Sequence, residues 1–324
     1  TNAAMALTEE LWTPPAPIRA LTVTAIHLSP AGEAYEQANL FDPTAGQRNA
    51  RQEKLESAMD AIRKKYGGSA MQSERLKNSV VRDVILLHLI GVKVVLVHGG
   101  GPEITDLLTR LGKETQFVGG LRVTDRETVE VAQMVLAGKV NKSLVNLIEC
   151  SGGHAVGLCG MDGHMISAVQ KDPALGYVGK ITAVDPTPVL DLLDKGYIPV
   201  VSTLGCDDAG NVYNVNADTA AAKLAATLHA ESLISLTDTA GILRDKDDPS
   251  SLISRVTVAE TEQLIADGVI AGGMLPKVEC CTDAIRGGVR RVFIIDGRVP
   301  HSILIETLTD EGIGTMFEGE GEQA

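Results

Sequence analysis

The sequence predicts an α/β protein, a three-layer αβα sandwich with a mostly parallel central sheet. Three observations predict it. From Lys65 onward, helical and strand-like segments alternate through short glycine-rich connections, the pattern of strands joined by helices on both faces of a sheet. Residues 94–103, V-V-L-V-H-G-G-G-P-E, join an apolar, β-branched run to three glycines and a proline that opens a helical pattern. Aromatic residues are only 3% of the chain, so the core is built from Val, Ile, Leu and Ala.

Taken in order, residues 1–47 form an Ala/Pro-rich irregular tail with a strand-like stretch at 21–28. Its acids Glu9, Glu10, Glu33 and Glu36 are of the kind a transit peptide avoids. Residues 48–64 read as an amphipathic helix with Leu55, Met59 and Ile62 on one face. Strands are predicted over 92–97, 155–158, 198–202, 232–236 and 291–295. Helices are predicted over 73–90, 102–111, 125–137, 140–151, 186–195, 218–229, 258–267 and 276–287. Thr124 and Glu127 have the spacing of a capping box, which starts the 125–137 helix. A polar hairpin, 205–213, links the strand 198–202 to the next motif. A break near residue 230 divides a ligand-rich lobe, 65–230, from a second lobe, 231–324.

With 324 residues and 44% hydrophobic content the chain can bury a large core. A net charge of −13 argues against nucleic-acid and anionic-membrane partners. No apolar run has the length of a membrane span. Cys150, Cys159, Cys206, Cys280 and Cys281 show no C-x-x-C pair, so neither a disulfide framework nor a zinc site is indicated and a reducing compartment follows.

Six motifs carry chemistry. In K-Y-G-G-S (65–69), Lys65 beside Gly67 and Gly68 could hold phosphate oxygens; a helix-terminal lysine with a glycine cap fits the local sequence equally. Gly99, Gly100 and Gly101 lie between strand and helix, where backbone N–H groups and the helix dipole favour an anion. His98 beside them reads as a structural residue more than an acid–base group. Arg122, between two apolar residues, is placed to clamp a carboxylate, or to sit in a structural ion pair. Asn214, Asn216 and Asp218 share a face of an extended segment; Asp218 is a natural N-cap, which leaves the two asparagines for a ligand. In G-G-M-L-P-K (272–277), Pro276 reads as the first helical residue. That puts Lys277 where the helix dipole disfavours a cation, so an anionic ligand is expected to offset it. Finally L-T-D-T-A-G-I-L (236–243) ends a strand in small polar residues, a candidate nucleotide pocket at a carboxyl edge. There is no Walker A sequence, protein-kinase motif set or metal cluster. Lysines, glycine loops and no dedicated nucleophile suggest phosphoryl transfer, in which positioning and charge neutralisation do most of the catalysis.

These motifs, in this order and with V-H-G-G-G-P-E (97–103), G-L-R-V-T-D (120–125), N-V-N-A-D (214–218) and I-I-D-G-R-V-P-H (294–301), resemble the amino-acid kinase family over residues 65–317, most of all its plant, algal and cyanobacterial arginine-sensitive members. The resemblance implies transfer of the γ-phosphoryl of ATP, with Mg2+, to the γ-carboxylate of N-acetyl-L-glutamate. Lys65 and Lys277 would neutralise charge and Asp218 would orient them. Gly67, Gly68, Gly100 and Gly101 would bind substrate, and Arg122, Asn214 and Asn216 would complete that pocket. Thr237, Asp238, Gly241, Ile242, Leu243, Val269, Ile270 and Ala271 would line the nucleotide. No metal is held by the protein itself. His301, Glu311 and Gly314 match the region that binds the effector L-arginine, and the 48–64 helix matches one that joins core dimers into hexamers. A PII-type signalling partner, and a plastid-stroma or cytoplasmic location, fit the same resemblance.

One departure stands out. Family members have an apolar strand directly before the K-Y-G-G lysine, and here residues 57–64 continue the preceding helix. Losing that strand would leave two strand edges without a partner and misplace Lys65. Residues 58–64 as strand, residues 21–28 in the gap, or an impaired regulatory paralogue are the competing outcomes; another amino-acid kinase is the remaining alternative.

Overall fold

The computed structural model describes residues 68–245, 247–309 and 312–319. The 1–47 tail with its 21–28 stretch, the 48–64 helix, Lys65, Gly67 and Glu311 lie outside the described residues. In chain order the elements are α1 (Gly68–Leu89), β1 (Leu96–His98), α2 (Gly101–Arg110), a hairpin of β2 (Phe117–Val118) and β3 (Leu121–Arg122), α3 (Arg126–Gln133), a π-helical stretch Met134–Val140 running into α4 (Asn141–Cys150), β4 (Ala155–Cys159), β5 (Ile166–Gln170) and β6 (Gly179–Val184). Then follow α5 (Thr187–Asp194), β7 (Ile198–Ser202), β8 (Leu204–Cys206), β9 (Val212–Asn214), α6 (Ala217–Thr227), β10 (Ser232–Thr237), β11 (Arg255–Thr257), α7 (Val258–Ala266), α8 (Met274–Arg286), β12 (Arg291–Asp296), α9 (Ser302–Leu308) and β13 (Thr315–Glu318).

The α/β class is as predicted. The central layer, however, is two sheets rather than one. The first is parallel, in the order β1-β7-β4. The second has the order β10-β12-β13-β11, with only β12 and β13 antiparallel. Leu96 of β1 and Ile234 of β10 pack in one apolar cluster with Val84 and Ile85 of α1, Ile148 of α4 and Ile303 of α9. On the other side α6 packs against both β1 and β10. The two sheets therefore lie side by side with these strands at their junction, and neither has a partner on its second edge among the described residues. The effect shows in burial: all of β7 is buried, β1 is only half-buried, and Leu236 of β10 is 37% exposed. Residues 21–28 and 58–64, the two stretches that could supply a strand between them, lie outside the described residues.

A third sheet, β6-β5-β8-β9, was not predicted; it is antiparallel apart from the β5–β8 pair. Several boundaries also differ. The 92–97 strand is confined to Leu96–His98, because only those residues find partners, at Val200–Ser202. The N-cap of α3 is Asp125, whose carboxylate accepts from the Thr128 N–H at 2.8 Å. Thr124 is occupied elsewhere, donating to the Arg122 carbonyl at 2.7 Å. Asn216, not Asp218, caps α6 by accepting from the Thr219 N–H. Helix α8 starts at Met274, two residues before Pro276, which is tolerated there because first-turn N–H groups have no intrahelical acceptor.

Candidate functional site

The glycine loop sits where β1 meets α2. Gly100 is the N-cap of α2 and supplies no side-chain cap, so the helix presents free N–H groups. A Cβ on Gly100 would come within 2.8 Å of Leu136 in the π-helical stretch, and one on Gly99 within 3.2 Å of Ala217; one on Gly101 would meet nothing. The loop is thus held tightly on one side and open on the other. The open side faces a cavity of about 200 Å3 lined by Gly99, Gly100, Gly101, Arg122, Asn214 and Asn216 among others.

Arg122 is the charged group of that cavity, and it is 7% exposed. Its Nη2 donates to the Gly101 carbonyl at 2.9 Å and to Thr105 Oγ1 at 2.8 Å, and its guanidinium carbon lies 4.7 Å from the centre of the Phe117 ring. Among the described residues its buried Nη1 has no hydrogen-bond partner, and no carboxylate pairs with it. Burial pulls its pKa below the ordinary arginine value. A buried guanidinium with an unsatisfied donor fits an anionic ligand in the cavity. Asn214 Nδ2 lies 3.4 Å from Thr124 Oγ1, which in turn holds the Arg122 carbonyl. The predicted asparagine row therefore divides: Asn214 braces the arginine, and Asn216 caps α6 while lining the cavity.

At the other end of the site, Lys277 Nζ lies 3.1 Å from Asp218 Oδ2, each side chain about one third exposed (31% and 32%). The N-cap of α8 is Gly273, without a side-chain cap, and Cβ atoms on Gly272 or Gly273 would meet open space. An uncapped helix terminus with room above its backbone and an ammonium beside it fits phosphate oxygens.

Thr237 and Asp238 stand at the carboxyl end of β10, with Asp238 exposed. Gly241 adopts φ +145°, where a Cβ would come within 2.5 Å of Thr315 Oγ1. Ile242 and Ile270 are 2% exposed and belong to the core of this half of the chain, with Val269 packed against them. Leu243 bridges Leu252, and Ala271 is exposed. The side chains of Ile242 and Ile270 therefore cannot contact a ligand; only backbone could. His301, in left-handed conformation at φ 59°, begins α9 with Nδ1 2.6 Å from Asp83 Oδ1. Gly314 is held after α9, its N–H donating to Glu306.

Thr105, Phe117, Thr124 and Asn141 also shape the site and were not singled out for it from sequence. Only Phe117, next to a glycine pair and near Arg122, carried a local signal. Thr105 and Asn141 act through contacts distant in sequence, and Thr124 joins the nearby Arg122 carbonyl to the distant Asn214.

A family model described as the amino acid kinase family matches residues 64–296. The chain belongs to the amino acid kinase family. Among relatives, it is 55% identical over 255 residues to the acetylglutamate kinase of Brachyspira hyodysenteriae, an alignment covering 78% of this chain and 88% of that protein. It is also 55% identical over 256 residues to the acetylglutamate kinase of Thermosynechococcus vestitus, covering 79% and 87%. Among solved structures, N-acetylglutamate synthase from Neisseria gonorrhoeae, complexed with coenzyme A and N-acetyl-glutamate, aligns with a TM-score of 0.66 at 29% identity, covering 77% of this chain and 56% of that one. The same synthase complexed with coenzyme A and L-arginine gives 0.64 at 27%, covering 75% and 57%. The glycine loop, Arg122, the Asp218–Lys277 pair and the end of β10 all fall within the amino acid kinase match.

Proposed function

We propose that this chain transfers the γ-phosphoryl group of ATP to the γ-carboxylate of N-acetyl-L-glutamate, giving N-acetyl-L-glutamyl 5-phosphate in arginine biosynthesis. The observation that carries this reading is the buried Arg122 with its unpartnered Nη1, in a cavity that also holds the open face of the glycine loop. The acceptor's α-carboxylate satisfies the guanidinium, braced by Asn214 through Thr124. Its γ-carboxylate is already ionised at neutral pH and attacks without a general base. The N–H groups of Gly100 and Gly101 receive charge on the transferring phosphoryl group, which Lys277 approaches from the opposite helix terminus while Asp218 holds it. Lys65 supplies the second ammonium and Gly67 and Gly68 the adjoining backbone. The uncapped α8 terminus and the backbone at 237–243 and 269–271 would hold the nucleotide, and Mg2+ bound with it would supply further neutralisation of phosphate charge. On this reading 65–230 is the acetylglutamate-binding lobe and 231–324 the nucleotide-binding lobe.

Regulation belongs to the same proposal. L-arginine binds around His301, Glu311 and Gly314 and inhibits turnover. The 48–64 helix links core dimers into a hexamer, a PII-type protein is a further partner, and the plastid stroma or the cytoplasm is the compartment. The 27% identity to a synthase solved with L-arginine supports the effector. Acceptor profiling tests the substrate: N-acetyl-L-glutamate should be phosphorylated in preference to L-glutamate, L-aspartate, carbamate and uridylate. Preference for any of the others overturns it.

A further inference from the structure

His98 closes β1 and immediately precedes the glycine loop, and its ring is locked between two partners. Nδ1 lies 2.8 Å from the Gly99 carbonyl oxygen, which can only accept, so Nδ1 carries the proton. Nε2 lies 3.1 Å from Asn141 Nδ2 and so accepts from the amide. The amide itself cannot turn over. Its Nδ2 also faces the Val200 carbonyl at 2.8 Å and the Leu158 carbonyl at 3.2 Å, and a reversed amide would aim oxygen at both. Asn141 is 1% exposed. Among the described residues its Oδ1 has no partner, and it faces Gly157, where any side chain would collide with it. Val200 and Leu158 lie on β7 and β4 and His98 on β1, so one amide faces all three strands of the first sheet.

The residues before Asn141 complete the arrangement. Leu136 and Val140, in the π-helical stretch, are the side chains that press on Gly100. The stretch therefore fixes the loop twice, by apolar contact at Gly100 and, through Asn141 and His98, by a hydrogen bond at the Gly99 carbonyl. π-Helical turns inside α-helices are frequent at functional sites. Burial also holds His98 below the ordinary histidine pKa, in keeping with a neutral ring.

We propose that neutral His98, held in its Nδ1–H form by the buried Asn141, is a positioning residue that fixes the Gly99 carbonyl and so aims the Gly100 and Gly101 N–H groups at the transferring phosphoryl group. The proposal rests on the phosphotransfer reading for what the loop binds, and on geometry alone for the His98–Asn141–Gly99 chain.

Two measurements test it. The first compares His98→Asn, whose amide can still reach the Gly99 carbonyl, with His98→Gln and His98→Ala, which cannot. Displacing a reacting group by about an ångström can cost on the order of a hundredfold, so Ala and Gln variants should lose roughly ten- to a hundredfold in kcat with the KM for ATP unchanged. His98→Asn should recover most of that loss. Equal activity of the Asn and Gln variants overturns the proposal. The second records ring-nitrogen NMR spectra of the wild-type protein labelled at histidine, where His98 should show protonated Nδ1 and bare Nε2, and Asn141→Leu should abolish that single form. A wild-type ring protonated at Nε2 overturns the positioning chain whether or not the protein is active. Absence of phosphotransfer in the wild type, with the expected spectrum, counts against the reading of function alone.

Discussion

Lys277 Nζ and Asp218 Oδ2 meet at 3.1 Å between the first turn of α8 and the first turn of α6. A lysine there works against the helix dipole, and the carboxylate offsets that only in part. The pair is about one third exposed, so its worth to stability is small, under about 1 kcal/mol. Its worth to phosphotransfer is larger. Lys277→Ala should lower kcat by about 10²–10³ while leaving the urea midpoint nearly in place. Asp218→Asn, which keeps the shape and removes the charge, should fall between wild type and that variant. Steady-state kinetics beside urea unfolding reads both.

Arg122 should govern the acceptor and not the nucleotide. Lysine cannot reproduce the fork that spans the Gly101 carbonyl, Thr105 and the cavity. Arg122→Lys should raise the KM for N-acetyl-L-glutamate about tenfold to a hundredfold, the range of a lost hydrogen bond to a charged group, with the KM for ATP unchanged. Initial rates over a grid of both substrates separate the two.

Asp125 should make stability depend on acid pH. The hydrogen bond from Lys113 holds its carboxyl down to about 2, from an ordinary 3.8. A depressed carboxylate contributes stability that is present above 3.8 and is lost as pH falls through about 2. Asp125→Ala also removes the N-cap of α3, which costs about 1 kcal/mol. The gap between wild type and this variant should be full at neutral pH and should narrow from pH 3.8 to 2. Urea midpoints across that window give the answer.

Thr315 is fully buried, and its Oγ1 accepts from the Ile242 N–H at 2.8 Å while donating to the Ile253 carbonyl at 2.7 Å. Thr315→Val leaves both buried groups unpartnered, at about 1–3 kcal/mol. Chemical denaturation should show that loss, with the KM for the acceptor unchanged.

Of the cysteines, Cys150 is exposed, whereas Cys159, Cys206 and Cys281 are buried and burial pushes their thiols up. Burial pushes up Cys280 as well. A thiol reagent should modify one site rapidly in the native protein, and Cys150→Ser should remove that phase.

Much of this was legible in the chain. Long periodic segments such as 217–227, and the buried β-branched strands at 198–202 and 291–296, have one reading each, and their glycine-rich connections mark the site. The β5–β6–β8–β9 sheet was not legible, because I-S-A-V-Q and G-K-I-T-A-V are short and half-exposed and so carry a weak alternation. Helix α9, S-I-L-I-E-T-L, is too short for its period to stand out. The caps were misassigned where adjacent residues compete: Thr124 and Asp125 both suit an N-cap, and only the Arg122 carbonyl, which takes the Thr124 hydroxyl, decides between them. Whether a strand precedes Lys65 is a matter of residues outside the described ones, so the sequence expectation there has no counterpart in the two sheets.

The measurement that bears most directly on function is ATP-dependent acyl-phosphate formation from N-acetyl-L-glutamate, trapped as the hydroxamate, with Lys277→Ala as control and arginine titrated in. Robust turnover that is lost in the variant and suppressed by arginine is the result expected here. Absence of turnover in the wild-type chain, with arginine still bound by calorimetry, would contradict the kinase reading and identify a regulatory chain.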